Sequence, residues 1–431
     1  LIKKDFSLLK EPVTRLVILF LGAGLLSLLS GVFITKNVVP HIAFLHFARR
    51  VEYISLLFVA YFSLKNLKQL KVLGWITLFS SFLVIFYGLG QKFLGWPVVS
   101  TMNKEFSKGM VLRLTWWARV NSTFAGHYDL AAFMAMILPL AFAAFGIAKK
   151  WFQKIPILLL AIFSYYVLLL TASRVSFGAF LVGVSFVLWF GRKRLWIIPF
   201  LALSILGMVF SDELGQRYAA TFNIDLSFLS NKTSQLSWKP PETPSPTPLP
   251  TVPPVAVTPK PGKPTPTLIP TPTMGPDETA SESGSPYPDP ESVAQATSRS
   301  TDIRLKVEWP RALRAFAKNP ILGTGYSSID LATDNDYLRM LGEIGLLGAL
   351  AFLALILEIF RRFWFFINSK TVPKHEKLLI IGISGTFIVY FLNATFIDVL
   401  EASKLAFFFW ILMGVGLKAI DLNTSNKKDN K

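Results

Sequence analysis

Runs of about 20 mostly apolar residues, the length a spanning helix needs, recur along this chain and are separated by short basic breaks. They lie near 15–35, 50–64, 72–92, 128–148, 154–172, 175–191, 195–211, 338–360, 377–397 and 402–419. The pattern predicts an all-α, polytopic transmembrane bundle of about ten spans. The second run is short, and the apolar stretch Ile42 to Phe47 before it reads as a piece able to dip into the membrane and return. Between the seventh and eighth spans lies a long polar stretch. Residues 240–290 hold 18 of the 27 prolines, mixed with Thr and Ser, and one aromatic, Tyr287. Such a segment cannot bury a core and is expected to be an extended polyproline-type tether. Thr301 to Asn319 follows as an amphipathic helix, expected to kink near Pro310. Six sections result: membrane helices at 1–211, the start of a loop at 212–239, a tether at 240–300, a helical loop segment at 301–337, membrane helices at 338–420 and a cytoplasmic tail at 421–431. The chain begins at Leu1, so further N-terminal residues and spans are expected to precede it.

Composition supports the membrane class, with 52% hydrophobic and 16% charged residues against roughly 25% charged in soluble domains. The net charge of +18 does not point to nucleic acid, because most of the basic residues sit in short breaks between spans. With Lys3, Lys4, Lys10 and Arg15 cytoplasmic, alternation puts Lys65/Lys68/Lys71, Lys149/Lys150/Lys154, Arg192/Lys193/Arg194, Arg361/Arg362/Lys370/Lys374/Lys377 and the tail lysines on that side too, as the positive-inside rule requires. The loops 93–127 and 212–337 are then left outside. There is no cysteine, which excludes thiolate and Cys-based metal chemistry. The four histidines are scattered.

No P-loop and no dinucleotide-binding glycine motif is present, and no compact acidic cluster near a membrane face offers a divalent-cation site. Arg174, in Thr171-Ala172-Ser173-Arg174, is the only charge from Gln153-Lys154 to Arg192, so it faces a polar cavity, a ligand or the headgroups. In Thr333-Asp334-Asn335-Asp336, the Thr333 and Asp336 pair matches a capping box, and Gly345 with Gly348 permits close helix packing. Glu343 then falls about two turns into a span and needs a partner, for which Arg339 at i−4 is nearest. His127 and Asp129, in a segment that also holds Arg119, stand at the mouth of another span. Arg304 and Trp309 read as a surface charge and an interface anchor. Asp398, Glu401 and Lys404 read as a local salt-bridged cap.

In order, RVNSTFAGHYDLAAFMAMILP, LLLTASRVSFGAFLVG, RLKVEWPRALRAFAKNPILGTGYSSI and DNDYLRMLGEIGLLG resemble the O-antigen ligase and O-antigen polymerase superfamily of bacterial membrane glycosyltransferases. The C-terminal FIDVLEASKLAFFFWILMGVGL is similar too, and the likeness spans roughly 50–420 apart from the tether. It implies a glycosyltransferase of surface polysaccharide biosynthesis in the cytoplasmic membrane, multi-pass, with its active site outward. It also implies an undecaprenyl-diphosphate-linked glycan as donor and a glycan, lipid or protein as acceptor, with no cofactor and no nucleic acid. The T-x-S-R arginine, matching Arg174, and the outer-loop arginine, matching Arg304, are implied to hold the diphosphate, with Arg119, Asn335, Tyr337 and Glu343 as further substrate-binding candidates. The family's ligases carry histidine where this chain has Asp334. That change favours a polymerase, with Asp334 as the catalytic base and His127 as its reserve. A metal-independent reaction follows, since two guanidiniums can hold a departing diphosphate. A polysaccharide or lipid transporter is the main rival and predicts paired broken helices; an inactive scaffold is another.

Overall fold

The computed structural model describes residues 11–98, 112–115, 118–211, 214–218, 302–329, 332–370 and 372–428. The expected tether at 240–300, the start of its loop from 219 and the lysines at 3, 4 and 10 lie outside the described residues. Of the described residues 79% are helical. The strands among them are Pro97–Val98 and Leu112–Arg113, paired antiparallel.

Ten helices coincide with the ten apolar runs: α1 (Pro12–Leu29), α2 (Pro40–Ser63), α3 (Leu67–Phe93), α4 (His127–Ile147), α5 (Trp151–Leu170), α6 (Arg174–Phe190), α7 (Ile197–Val209), α9 (Asp336–Asn368), α10 (Lys374–Asn393) and α11 (Ser403–Lys428). Between α7 and α9 lies the short α8 (Trp309–Lys318). Seven of the helices are long and apolar enough to cross a bilayer, while α6 and α7 are apolar but shorter. The protein is a multi-pass all-α membrane protein. Prolines start α1 and α2 at positions where a missing N–H costs nothing, and Asn66 caps α3 by accepting from the Gln69 N–H at 2.9 Å.

Helices α4 and α10 form the centre, packed on each other and both against α6. Association in lipid depends on close van der Waals approach, and the α6–α10 crossing is built for it. A Cβ on Gly183 would stand 2.4 Å from Val389 Cγ2, and one on Gly385 would stand 2.8 Å from Val187 Cγ2. Around this centre α1 packs on α9, α2 on α11 and α5 on α4.

Several expectations are corrected. The stretch Ile42 to Phe47 is not re-entrant: it is the first part of the continuous helix α2, which stays helical through Arg49, Arg50 and Glu52 because Arg50 is paired inside the bundle. The expected kink near Pro310 is instead a π-helical turn at Arg304–Glu308, and Pro310 sits in the first turn of α8. A proline there removes no needed donor.

The largest departure is in α9, which breaks at Gly345 (φ 65°, ψ −171°). Residues 320–325 fill the break. Leu346 N–H donates to Pro320 O at 2.8 Å and Leu347 N–H to Ile321 O at 3.1 Å, while Thr324 N–H and Gly325 N–H donate to Gly342 O and Glu343 O at 3.0 and 2.9 Å. Both half-helix ends are thereby satisfied, as backbone at membrane depth must be. Only glycine fits the crossing: a Cβ on Gly323 would lie 2.3 Å from Glu343 O.

Candidate functional site

The junction between α5 and α6 sets the position of Arg174. Thr171 Oγ1 donates to Leu168 O at 2.6 Å, ending α5, and Ala172 turns the chain at φ 50°. Ser173 caps α6 and donates from its hydroxyl to Ser176 Oγ at 3.0 Å, which in turn donates to Asn393 Oδ1 at 2.6 Å. All three hydroxyl residues are buried, so the junction is anchored to the end of α10. Arg174 is the first residue of α6. Its carbonyl accepts from Tyr218 OH at 2.7 Å, and the charges that act on its guanidinium include those of Arg304 and Arg119.

Arg304 opens the π-helical turn and donates from Nε and Nη2 to Asp334 Oδ2 at 2.9 and 2.7 Å. Asp334 takes a left-handed φ of 48°, a conformation that Asp tolerates because its short side chain bonds locally. The neighbours of Asp334 are fixed by Asp398, which accepts from Thr333 N–H at 3.0 Å, Asn335 N–H at 3.2 Å and Arg339 Nη1 at 3.3 Å. The N-cap of α9 is Asn335, whose Oδ1 accepts from Leu338 N–H at 3.0 Å. The expected Thr333–Asp336 capping box is therefore not formed. Asp336 is buried and accepts from Leu400 N–H at 2.9 Å instead, while its own N–H donates to Ala394 O at 2.9 Å. Because Ser176 binds Asn393 and Asp336 binds Ala394, one end of α10 brings the starts of α6 and α9 together, and with them Arg174 and Asp334. Tyr337, half-exposed, donates to Phe391 O at 2.8 Å on the same helix end.

Arg119 and His127 form a second part of the same end, with Arg119 Nη1 3.0 Å from His127 Nε2. A guanidinium has no acceptor, so Nε2 accepts and the imidazole carries its proton on Nδ1. That contact occupies the nitrogen a reserve base would use.

Glu343 is placed elsewhere. It is 3% exposed, and its Oε1 lies 3.4 Å from Arg339 Nε, the partner expected at i−4, as an ion pair without hydrogen-bond geometry. Arg339 also reaches Glu401 at 3.6 Å, and Glu401 pairs with Arg50, which donates to Leu400 O at 2.5 Å. These groups surround a cavity of about 30 Å³ lined by Arg50, Asp336, Arg339, Glu343 and Glu401. That space suits a water molecule and not a substrate, and among the described residues Asp398 links this network, through Arg339, to the N–H groups of Thr333 and Asn335 on either side of Asp334. The local cap expected of Asp398, Glu401 and Lys404 is not formed either. Asp398 and Glu401 pair with arginines of α9 and α2, and Lys404 donates to Thr123 O.

Sequence reasoning missed the organising role of Asp398 and the pairing of Arg50 with Glu401. An arginine amid the apolar residues of α2 is the signal that an intramembrane charge needs a partner. Nothing in the spacing of Tyr218 marks it as a neighbour of Arg174.

The electrostatics at this end favour anion binding beside a carboxylate of reduced acidity. Burial raises the pKa of Asp334, against Arg304, which lowers it, and Asp398 adds to the rise. Glu308, one turn past Arg304, is pushed up to about 7 by burial and by Asp334. Burial pushes the Tyr218 hydroxyl up to about 12, with Arg174 opposing. Among the described residues no group of three or more His, Asp or Glu side chains is arranged to hold a metal ion. The break in α9 does not supply the open half-helix ends a transporter uses for ions, because the 320–325 loop occupies them.

No curated protein and no solved structure gives a significant match to the chain. Residues 157–353 match the family model described as O-Antigen ligase. That range holds Arg174, Arg304, Asp334, Asn335, Tyr337 and Glu343, and leaves Arg119, His127 and the C-terminal likeness outside. With the arginines and the aspartate of the matched segment gathered at one end of an all-α bundle, residues 157–353 carry the pattern of the O-antigen ligase family within a multi-pass membrane protein, a likeness that supports a ligase- or polymerase-type glycosyltransferase superfamily.

Proposed function

We propose that this protein transfers glycan from a polyprenyl-diphosphate carrier to a hydroxyl at the end of the bundle where Arg174, Arg304 and Asp334 meet. The observation that carries the reading is the contact of Arg304 with Asp334 at 2.9 and 2.7 Å in a setting shared with Arg174 and Arg119. The resident carboxylate holds the guanidinium in the orientation a phosphate oxygen would take, since both ligands use the same donor fork. A diphosphate carries more charge than one carboxylate. Its arrival draws Arg304 away and leaves Asp334 beside the cations as an acceptor of protons.

The acceptor oxygen attacks the anomeric carbon of the donor, the bond from that carbon to the diphosphate oxygen breaks, and its electron pair leaves with the diphosphate. The hydroxyl proton passes to Asp334. Arg174 and Arg304 stabilise the charge that develops on the leaving group, which is the electrostatic contribution such sites depend on, and the reaction needs no metal. Arg119, held on His127, adds to the positive field. Asp334 standing where the family's ligases have histidine favours chain growth onto another lipid-linked glycan. The end with Lys65, Lys149 and Arg361 is cytoplasmic by the positive-inside rule, so the site faces outward from the cytoplasmic membrane.

The test is purified full-length protein with a defined undecaprenyl-diphosphate oligosaccharide, followed for a polymer ladder or for transfer to an added acceptor. Arg174→Lys and Arg304→Lys weaken donor binding roughly tenfold or more, the value of one charge-assisted bond. Asp334→Asn keeps donor binding and lowers turnover by about 10²–10⁴, the range of a general base. EDTA leaves activity intact. Full turnover in Asp334→Asn with loss in His127→Ala moves the base to the other loop. Full turnover in both variants, or an EDTA loss restored by Mg²⁺, overturns the mechanism.

A further inference from the structure

A second basic site lies on the other side of the outer helix. On α8, Arg311, Arg314, Ala315 and Lys318 follow one another at i, i+3, i+4 and i+7 and share a face. Together with Asn37, Thr324, Ser328 and Ile329 they line a cleft of about 210 Å³, well above the 10–15 Å³ or so that a single water requires. Three cations on one helix face repel each other, and among the described residues none forms an ion pair with a carboxylate. Glu308, one turn before Arg311, acts on it only at longer range. The opposite wall carries hydroxyls: Thr324 Oγ1 and Ser328 Oγ are 2.6 Å apart.

The π-helical turn separates this site from the one above. Arg304, Arg311 and Lys318 are spaced by seven, which in a regular α-helix would align them. The wider turn at Arg304–Glu308 shifts the phase, so that Arg304 meets Asp334 while the others face the cleft. The cleft walls are rigidly held. Ala312 and Ala315 pack on Gly342, where a Cβ would stand 2.9 Å from Ala312 O, and Thr324 is fixed to Gly342 by both its N–H and its hydroxyl at 3.0 Å.

The surroundings say what the anion is attached to. Asn37 follows the π-helical segment Ser30–Thr35 that continues α1 and completes its span; Phe33 and Ile34 of that segment are 69% and 70% exposed, and Thr35 Oγ1 donates to Thr324 O at 3.3 Å. Ile321 and Leu313, on the other wall's elements, are 66% and 49% exposed. Exposed apolar side chains next to cations at the end of a span place the cleft at headgroup level. We infer that the cleft lined by Arg311, Arg314 and Lys318 binds the phosphate of a lipid headgroup, at a site separate from the Arg174–Arg304–Asp334 cluster. The inference stands on this geometry and does not depend on the proposed reaction.

The experiment is native mass spectrometry of the detergent-solubilised full chain at fixed ionic strength, titrated with phosphatidic acid, with diacylglycerol of the same acyl chains, and with inorganic phosphate. Phosphatidic acid is expected to bind, and the triple variant Arg311→Gln/Arg314→Gln/Lys318→Gln to lose about tenfold or more in affinity. Lys149→Gln/Lys150→Gln/Lys154→Gln, which removes the same charge at the other end, is expected to bind as the wild type does. Arg314→Gln alone, at an exposed position, gives a partial loss and serves if the triple variant fails to fold. Equal binding of diacylglycerol, an unchanged triple variant, or equal loss in the lysine control overturns the site. Inorganic phosphate binding as tightly as phosphatidic acid overturns the lipid as its source.

Discussion

Replacing Gly345 by alanine tests whether the break in α9 is a built feature of the bundle. At φ 65° and ψ −171° the residue occupies a region essentially reserved to glycine, where a side chain costs about 1–3 kcal/mol. The new Cβ would stand 2.4 Å from Ile321 O and 2.5 Å from Gly323 N. Both are backbone atoms, so relief requires the 320–325 loop to withdraw. Withdrawal breaks the bonds from Leu346 N–H to Pro320 O and from Leu347 N–H to Ile321 O, at about 0.5–1.5 kcal/mol each. The two contributions together come to about 2–6 kcal/mol. Gly22→Ala is the control, because no atom lies within 4 Å of its Cβ position and alanine in a helix is more favourable than glycine by about 1 kcal/mol. The assay is thermal unfolding of both variants in one detergent at one scan rate, followed by tryptophan fluorescence, since membrane-protein midpoints depend on heating rate. Gly345→Ala is expected to unfold several degrees lower and Gly22→Ala at or slightly above the wild type. A Gly345→Ala midpoint within about a degree of the wild type would refute the argument that backbone contact across the break holds the loop.

Two further outcomes follow from the buried charges. Asp398→Asn removes the charge that holds Arg339 and replaces one of its acceptor oxygens with a donor facing Thr333 or Asn335. It is expected to cost about 2–4 kcal/mol and to weaken donor binding by loosening Asp334; unaltered stability in denaturant would contradict it. Glu308, with a pKa of about 7 in the folded protein against 4.5 ordinarily, retains a proton that the unfolded chain gives up. Its contribution to stability is complete below about pH 4.5 and is lost as pH rises through about 7, so Glu308→Gln should flatten the fall in melting temperature across that window.

The apolar periodicity determined a great deal about this protein. All ten predicted runs are helices, because a bilayer accepts few other backbones. The ordered motifs located Arg174, Arg304 and Asp334, and the need of a buried acid for a nearby cation identified Arg339 for Glu343. These are local rules, readable within one or two turns of chain. What the sequence could not specify is long-range. Asn335 caps α9 in preference to the Thr333–Asp336 box because Asp398, 65 positions beyond Thr333, takes the Thr333 N–H. Arg50 is tolerated in α2 because Glu401, 351 positions away, meets it. Gly345 breaks a helix that its neighbours would continue, because the 320–325 loop supplies the hydrogen bonds that the break gives up. In each case a buried polar group must find a partner, and only the tertiary packing decides which segment provides it.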